Sequence, residues 1–108
     1  MRMMMKVTLP IEAANAAVRN GSLQTTIQKI LADLKPEAAY FLEDGGQRTG
    51  IIVFDMKDSS ELPGIAEPWF LAFNASLTVR PAMTAGDLAM GMPGMQRAVQ
   101  AYSKGAGA

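Results

Sequence analysis

Tyr40, Lys6 and Arg80 are the side chains in this sequence best suited to chemistry, and each takes its meaning from its neighbours. Tyr40 lies in the apolar run AAYFLE, with Thr49 in the run that follows. A phenol so placed can orient a ligand or donate a proton, or it can pack and bond its hydroxyl locally. Lys6 alternates with Thr8, and Arg80 with Thr78 and Ser76. A cation among small polar groups suits an anionic or carbonyl-bearing ligand if that face lines a cavity; at a rim both are ordinary surface charges. Phe70 and Asn74 close the set. They lie in AEPWFLAFNASLTVRP, where Trp69, Phe70 and Phe73 concentrate three of the seven aromatic residues. Helical phase puts Trp69 on a stripe with Leu62, Ile65 and Phe73, facing a sheet, and turns Phe70 about 100° away. Phe70 and Asn74 then edge a pocket or a subunit contact, or Phe70 packs in the core as well.

Other combinations carry less. The chain has no histidine and no cysteine. That removes a Ser-His-Asp triad, His-based zinc, His-ligated haem, thiolate metal sites and disulfides, and leaves any acid–base work to Asp, Glu, Lys, Arg or Tyr. Asp55 and Asp58 are too few and too separated for a metal site and read as capping and solubility. Glu43 and Arg48 read as a solvated cross-strand ion pair. Gly45-Gly46 joins two strands and precedes no helix, so it is no phosphate loop. Four methionines between 83 and 95 read as gap-fillers beneath a broken helix, or as a plastic binding surface. Neither a metal nor a cofactor is expected.

Ten basic and ten acidic residues are scattered without runs, so the basic footprint of a nucleic-acid binder is missing, as is attraction to an anionic membrane. The apolar start MRMMMKVTLP is interrupted by Lys6 and lacks a small-residue cleavage pattern, which argues against a signal peptide. No apolar run reaches membrane-spanning length, and a cytoplasmic location is the default expectation. At 108 residues one domain is expected, over 1–104, with 105–108 as a flexible tail.

Positioning elements follow from periodicity. Residues 2–9 alternate as a strand, and Pro10 opens a short Ala-rich helix with Ile11, Ala14 and Val18 on one face. Asn20-Gly21 ends it, Ser22 is placed to cap the next helix, and Leu23, Ile27, Ile30, Leu31 and Leu34 form that helix's stripe before Pro36. Residues 38–43 and 48–56 read as a hairpin turned by Asp-Gly-Gly, with Ala38, Tyr40, Leu42, Thr49, Ile51 and Val53 on one face and Phe41, Ile52 and Phe54 on the other. Asp58-Ser-Ser-Glu61 is a capping box. The helix after it should break between Gly64 and Glu67 and restart at Pro68. Residues 76–80 form a fourth strand, and Thr84 caps a last helix interrupted at Gly91–Gly94.

The order β-α-β-β-α-β-α predicts an α+β, ferredoxin-like βαββαβ fold with an extra C-terminal helix and a four-stranded antiparallel sheet. Its helices cover one sheet face, yet both faces are apolar, and a second copy of the same sheet is the simplest cover. The apolar N-terminal strand, the Gly-rich hairpin before IIVFD, and PWFLAF leading into LTVRPAMTAGDL resemble the dimeric α/β-barrel superfamily, and within it a small family of unassigned function. The resemblance spans nearly the whole chain. It implies two sheets closed face to face into a barrel, in a superfamily that includes cofactor-independent monooxygenases, lactone isomerases, haem enzymes and amino-acid-sensing domains. The missing histidine removes the haem branch, and no catalytic residue carries over. The resulting expectation is a small-molecule-binding homodimer, in its catalytic version a cofactor-independent enzyme on a small organic substrate, with Tyr40, Thr49, Lys6, Arg80, Phe70 and Asn74 as ligand-binding candidates. The alternative is a non-catalytic interaction or sensing module.

Overall fold

A computed structural model describes residues 1–103; the tail expected at 105–108 lies outside the described residues. Four strands, β1 (Arg2–Thr8), β2 (Ala38–Asp44), β3 (Gln47–Asp55) and β4 (Ser76–Pro81), form one antiparallel sheet in the order β2-β3-β1-β4. Helices α1 (Ile11–Arg19), α2 (Ser22–Leu34) and α3 (Leu62–Phe73) lie on one face, and α4 (Ala85–Tyr102) follows β4. This is the ferredoxin-like α+β arrangement with an added C-terminal helix.

The hairpin sets the register. Gly45 and Gly46 take φ of 62° and 81°, the left-handed pair that a two-residue turn between twisted strands requires. Asp44 therefore faces Gln47, Leu42 faces Thr49 and Tyr40 faces Ile51. Alternation then sends Met3, Met5 and Val7 of β1, with Ile52 and Phe54 of β3, into the core beneath the helices. Trp69 and Phe73 of α3 close that core with ring centroids 6.1 Å apart, each only 1% exposed. The helical stripe thus assigns both to packing. Phe41 lies over Gly50 of β3, where an added Cβ would come within 3.1 Å of its ring.

Several local expectations change. The buried face of α1 is Ala14 and Ala17, which let the helix approach the sheet closely, while Ile11 and Val18 are exposed. Ser22 is the first residue of α2, and its N–H is taken by Asn20 Oδ1 at 2.9 Å, so asparagine supplies the side-chain acceptor. Neither expected break occurs. α3 runs through Pro68 and α4 through Pro93. A proline frees the carbonyl four residues earlier; here those residues are Gly64 and Ala89, both exposed, where water can take the bond. Asn74 ends α3 in the left-handed conformation (φ 52°), its N–H bonded to the Phe70 carbonyl at 2.9 Å.

Two capping boxes are formed. Asp58 accepts from Ser60 N–H at 3.0 Å, and Glu61 reaches back to Asp58 N–H at 3.1 Å. In α4, Thr84 Oγ1 accepts from Asp87 N–H at 3.1 Å while the Asp87 carboxylate accepts from Thr84 N–H at 2.9 Å. The hydroxyl and amide of Ser60 hold Asp58 below the usual carboxylate range, and the amide and hydroxyl of Thr84 do the same for Asp87.

α4 departs from compactness. None of its residues is buried, and the molecule measures 65 × 29 × 22 Å. Its radius of gyration of 18.6 Å exceeds the roughly 13 Å of a compact chain of about this length.

Two outcomes follow from this packing. Trp69→Ala is expected to lose about 3–5 kcal/mol of stability in urea titration, the cost of a large cavity in a closed core. Because the folded-state pKa of Asp87 is depressed, its stabilisation of α4 is present above the unfolded carboxylate value of about 3.9 and is lost as pH falls through the folded value. Helical circular dichroism should decline over that acid range in the native chain, and Asp87→Asn should remove that part of the decline.

Candidate functional site

The sheet face away from α1–α3 is built by the residues that alternate outward. Three cross-strand rows follow from the register: Ala38–Val53–Met4–Arg80, Tyr40–Ile51–Lys6–Thr78, and Leu42–Thr49–Thr8–Ser76. The middle of this open face is apolar, from Met4, Ile51, Val53, Tyr40 and Leu42, and its β4 side is polar. Tyr40 is 68% and Leu42 46% exposed. An apolar area of this extent facing water is a feature of interaction surfaces and ligand sites.

Four of the six candidates share this face. Tyr40 and Lys6 sit in one row with Ile51 between them, Thr49 is diagonal to Tyr40, and Arg80 is diagonal to Lys6, a separation of about 7–8 Å for such pairs. Their states differ. Lys6 forms an ion pair with Asp44 that crosses β3 from β1 to β2, passing the row of Thr49. Thr49 is 3% exposed, and its hydroxyl donates to the Gln47 carbonyl at 3.1 Å. Arg2, on the same face, is held by Glu37 at 2.8 Å, a hydrogen-bonded pairing that raises the guanidinium's already high pKa. Arg80 makes no ion pair among the described residues and is the cation still open to a ligand.

The other two candidates lie elsewhere. Phe70, 41% exposed, forms one wall of an apolar groove of about 620 Å³ between α3 and β4, on the helix side of the sheet. Asn74 terminates α3 through its backbone. Neither joins Tyr40 and Arg80. Glu43 and Arg48 oppose each other in register but do not pair: Arg48 Nη1 donates to Asn15 Oδ1 of α1 at 2.9 Å, and Glu43 accepts from Gly46 N–H at 3.0 Å. Asp55 accepts from the Met1 nitrogen at 2.8 Å, and Asp58 caps the turn before α3.

A second cavity was not foreseen from the sequence. Between α2 and the β2–β3 hairpin is a space of about 400 Å³, walled by Leu23, Ile27, Phe41 and Trp69, with Glu43 and Arg48 among its lining. Trp69 Nε1 is buried and has no hydrogen-bond partner among the described residues. The legible signal was Gly50 opposite Phe41, which thins the sheet's inner layer at this point. Among the described residues no group of Asp and Glu side chains is placed to hold a metal ion, and no helix is long and apolar enough to cross a membrane.

No protein-family model and no curated protein matches this chain. Among solved structures, a formyltetrahydrofolate deformylase from Pseudomonas putida KT2440 superposes with a TM-score of 0.47 at 12% identity, over 76% of this chain and 29% of the deformylase. The chain thus spans less than a third of that enzyme. A de novo designed protein, Ferredog-Diesel, gives 0.45 at 10% identity, over 75% of this chain and 85% of the design. Likeness at this level carries no functional information.

Asp44→Asn should leave Lys6 unpaired. Because both side chains are 41% and 49% exposed, the expected loss of stability is below about 1 kcal/mol by urea titration. A larger loss would make the pair structural and remove Lys6 from the candidates.

Proposed function

We propose that this chain is a homodimeric, ligand-binding protein of the dimeric α/β-barrel kind, in which the open faces of two sheets meet and enclose a small organic molecule. The observation that carries this reading is the apolar open face itself, with Arg80 at its side making no ion pair among the described residues. Met4, Ile51 and Val53 are already half-buried and Leu42 is 46% exposed, so a cover gains part of the roughly 1.5–3 kcal/mol that full burial of each such side chain is worth, which favours one of matching composition. A second copy supplies one by symmetry, since each chain presents the same rows. Tyr40, Thr49, Lys6 and Arg80 then supply the few polar groups that orient a ligand in an apolar site. Two neighbouring cations, of which only Lys6 has a carboxylate partner among the described residues, select an anionic molecule such as a small carboxylate.

Between binding and turnover, the geometry favours binding. A cofactor-independent enzyme of the monooxygenase or isomerase type would need Tyr40 or Lys6 as acid or base. Lys6 is engaged by Asp44, and Tyr40 stands two strands away from it. The non-catalytic reading, a sensing or interaction module, rests on the same pairing.

Titration with benzoate, followed by amide chemical shifts, tests the site. Shifts are expected around Lys6, Tyr40, Thr49 and Arg80, and Arg80→Met should weaken binding about tenfold. Shifts confined to the cavity beside Trp69, or none at millimolar benzoate, would contradict it. Ile51→Lys, at the centre of the face, should leave the helix-side core folded and abolish self-association in sedimentation.

A further inference from the structure

The cavity beside Trp69 takes no part in the open face, because it lies on the helix side of the sheet, where α2 passes over the β2–β3 hairpin. Its inner wall is made by Val7, Leu9 and Trp69, all buried. Its outer walls are Leu23 and Ile27 of α2, both half-buried, and Phe41 of β2, which is 52% exposed. At about 400 Å³ it falls within the range of about 300–1,000 Å³ that small-molecule sites occupy.

The polar groups of the lining restrict what could fill it. Thr49 reaches the cavity, but its hydroxyl is taken by the Gln47 carbonyl. Glu43 and Arg48 bring one charge of each sign, and both are held by the fold, Glu43 by the Gly46 N–H and Arg48 by Asn15. The lining therefore carries no net charge, and a carboxylate drawn inside would exchange its water for apolar walls. What remains is the Trp69 indole N–H, a buried donor with no acceptor among the described residues. Buried donors in folded proteins are nearly always satisfied, and an indole N–H can only donate. Its complement is an acceptor carried by a second molecule.

Nε1 is closed even to a water-sized contact, so an acceptor reaches it only where a wall gives way. Phe41 is the wall best able to move. It stands on β2, an edge strand, half of its surface is already in solvent, and its cross-strand neighbour Gly50 offers no side chain to hold it. With Trp69 it also gives the cavity two aromatic rings, against which a flat ring packs well.

We propose that this cavity is a second binding site, for a small neutral aromatic carbonyl compound. The ring of the ligand lies between Phe41 and the α2 side chains Leu23 and Ile27, its oxygen accepts from Trp69 Nε1, and Phe41 swings outward to admit it. Every residue of the site belongs to one chain, so the site stands whether or not two copies pair. Its ligand differs in charge from the anion proposed for the open face.

Trp69 is the single tryptophan of the chain, so its indole ¹⁵N–¹H cross-peak reads the site without ambiguity. Acetophenone is the probe, benzoate its charged counterpart, and α-methylstyrene its counterpart without the oxygen. Millimolar acetophenone is expected to move the indole peak downfield in a saturable way, together with the amides of Leu23, Ile27 and Gly50. Benzoate should leave the indole peak in place, and α-methylstyrene should bind about tenfold more weakly with no downfield movement. Ile27→Phe, which fills the cavity, should weaken acetophenone binding about tenfold while the amide spectrum stays dispersed. An indole peak unmoved by millimolar acetophenone would overturn the proposal. Equal movement by benzoate or by α-methylstyrene would do the same, as would a folded Ile27→Phe protein that binds acetophenone as well as the unmodified chain. If Ile27→Phe does not fold, the three probes on the unmodified chain decide alone. Benzoate shifts at Lys6 and Arg80 report on the open face, so the two sites can fail separately.

Discussion

Along β1, side chains alternate between two environments, and the rest of the molecule is arranged around that division. Met3, Met5 and Val7 point into the core with Ile52, Phe54, Trp69 and Phe73, while Met4, Lys6 and Thr8 point out of the other face. Because β1 is an inner strand, flanked by β3 and β4, its alternation is transmitted through both ladders. A slip of one residue would exchange the core and open faces completely. The hairpin glycines hold β2 in the same phase. One side of the sheet is thereby closed by three helices, and the other becomes an apolar surface flanked by cations.

Much of this was legible in the sequence because alternation and turn chemistry are local. The Asp-Gly-Gly turn gives the facing of Tyr40 with Ile51 and of Phe41 with Gly50, and the phase of α3 separates Trp69 and Phe73 from Phe70. The grouping of Tyr40, Thr49, Lys6 and Arg80 on one face follows from the same alternation. What escaped depended on surroundings that periodicity does not encode. Pro68 and Pro93 did not break their helices, because the carbonyls they leave free, on Gly64 and Ala89, reach solvent. Arg48 found Asn15 of α1 instead of its cross-strand neighbour Glu43, a choice made by the packing of α1 on the sheet. The cavity beside Trp69 also arises from packing, where α2 bridges the thin region at Gly50.

Once α4 is seen as one helix, its exposure raises the same question as the open sheet face. Two apolar surfaces on a small chain are left facing water. In a chain of 108 residues, where the core is limited in size, such exposure opposes the hydrophobic driving force that holds the fold together. The proposed pairing of open faces would cover the sheet surface with no additional component, and it would place Arg80 and Tyr40 at a boundary where a small anion can be enclosed.

Sedimentation equilibrium of the unmodified chain at micromolar concentration bears most directly on this pairing. A single species at twice the chain mass of 11.5 kDa is the expected result. A homogeneous species at 11.5 kDa would contradict it, and would mean that the open face is stable in water without a second copy.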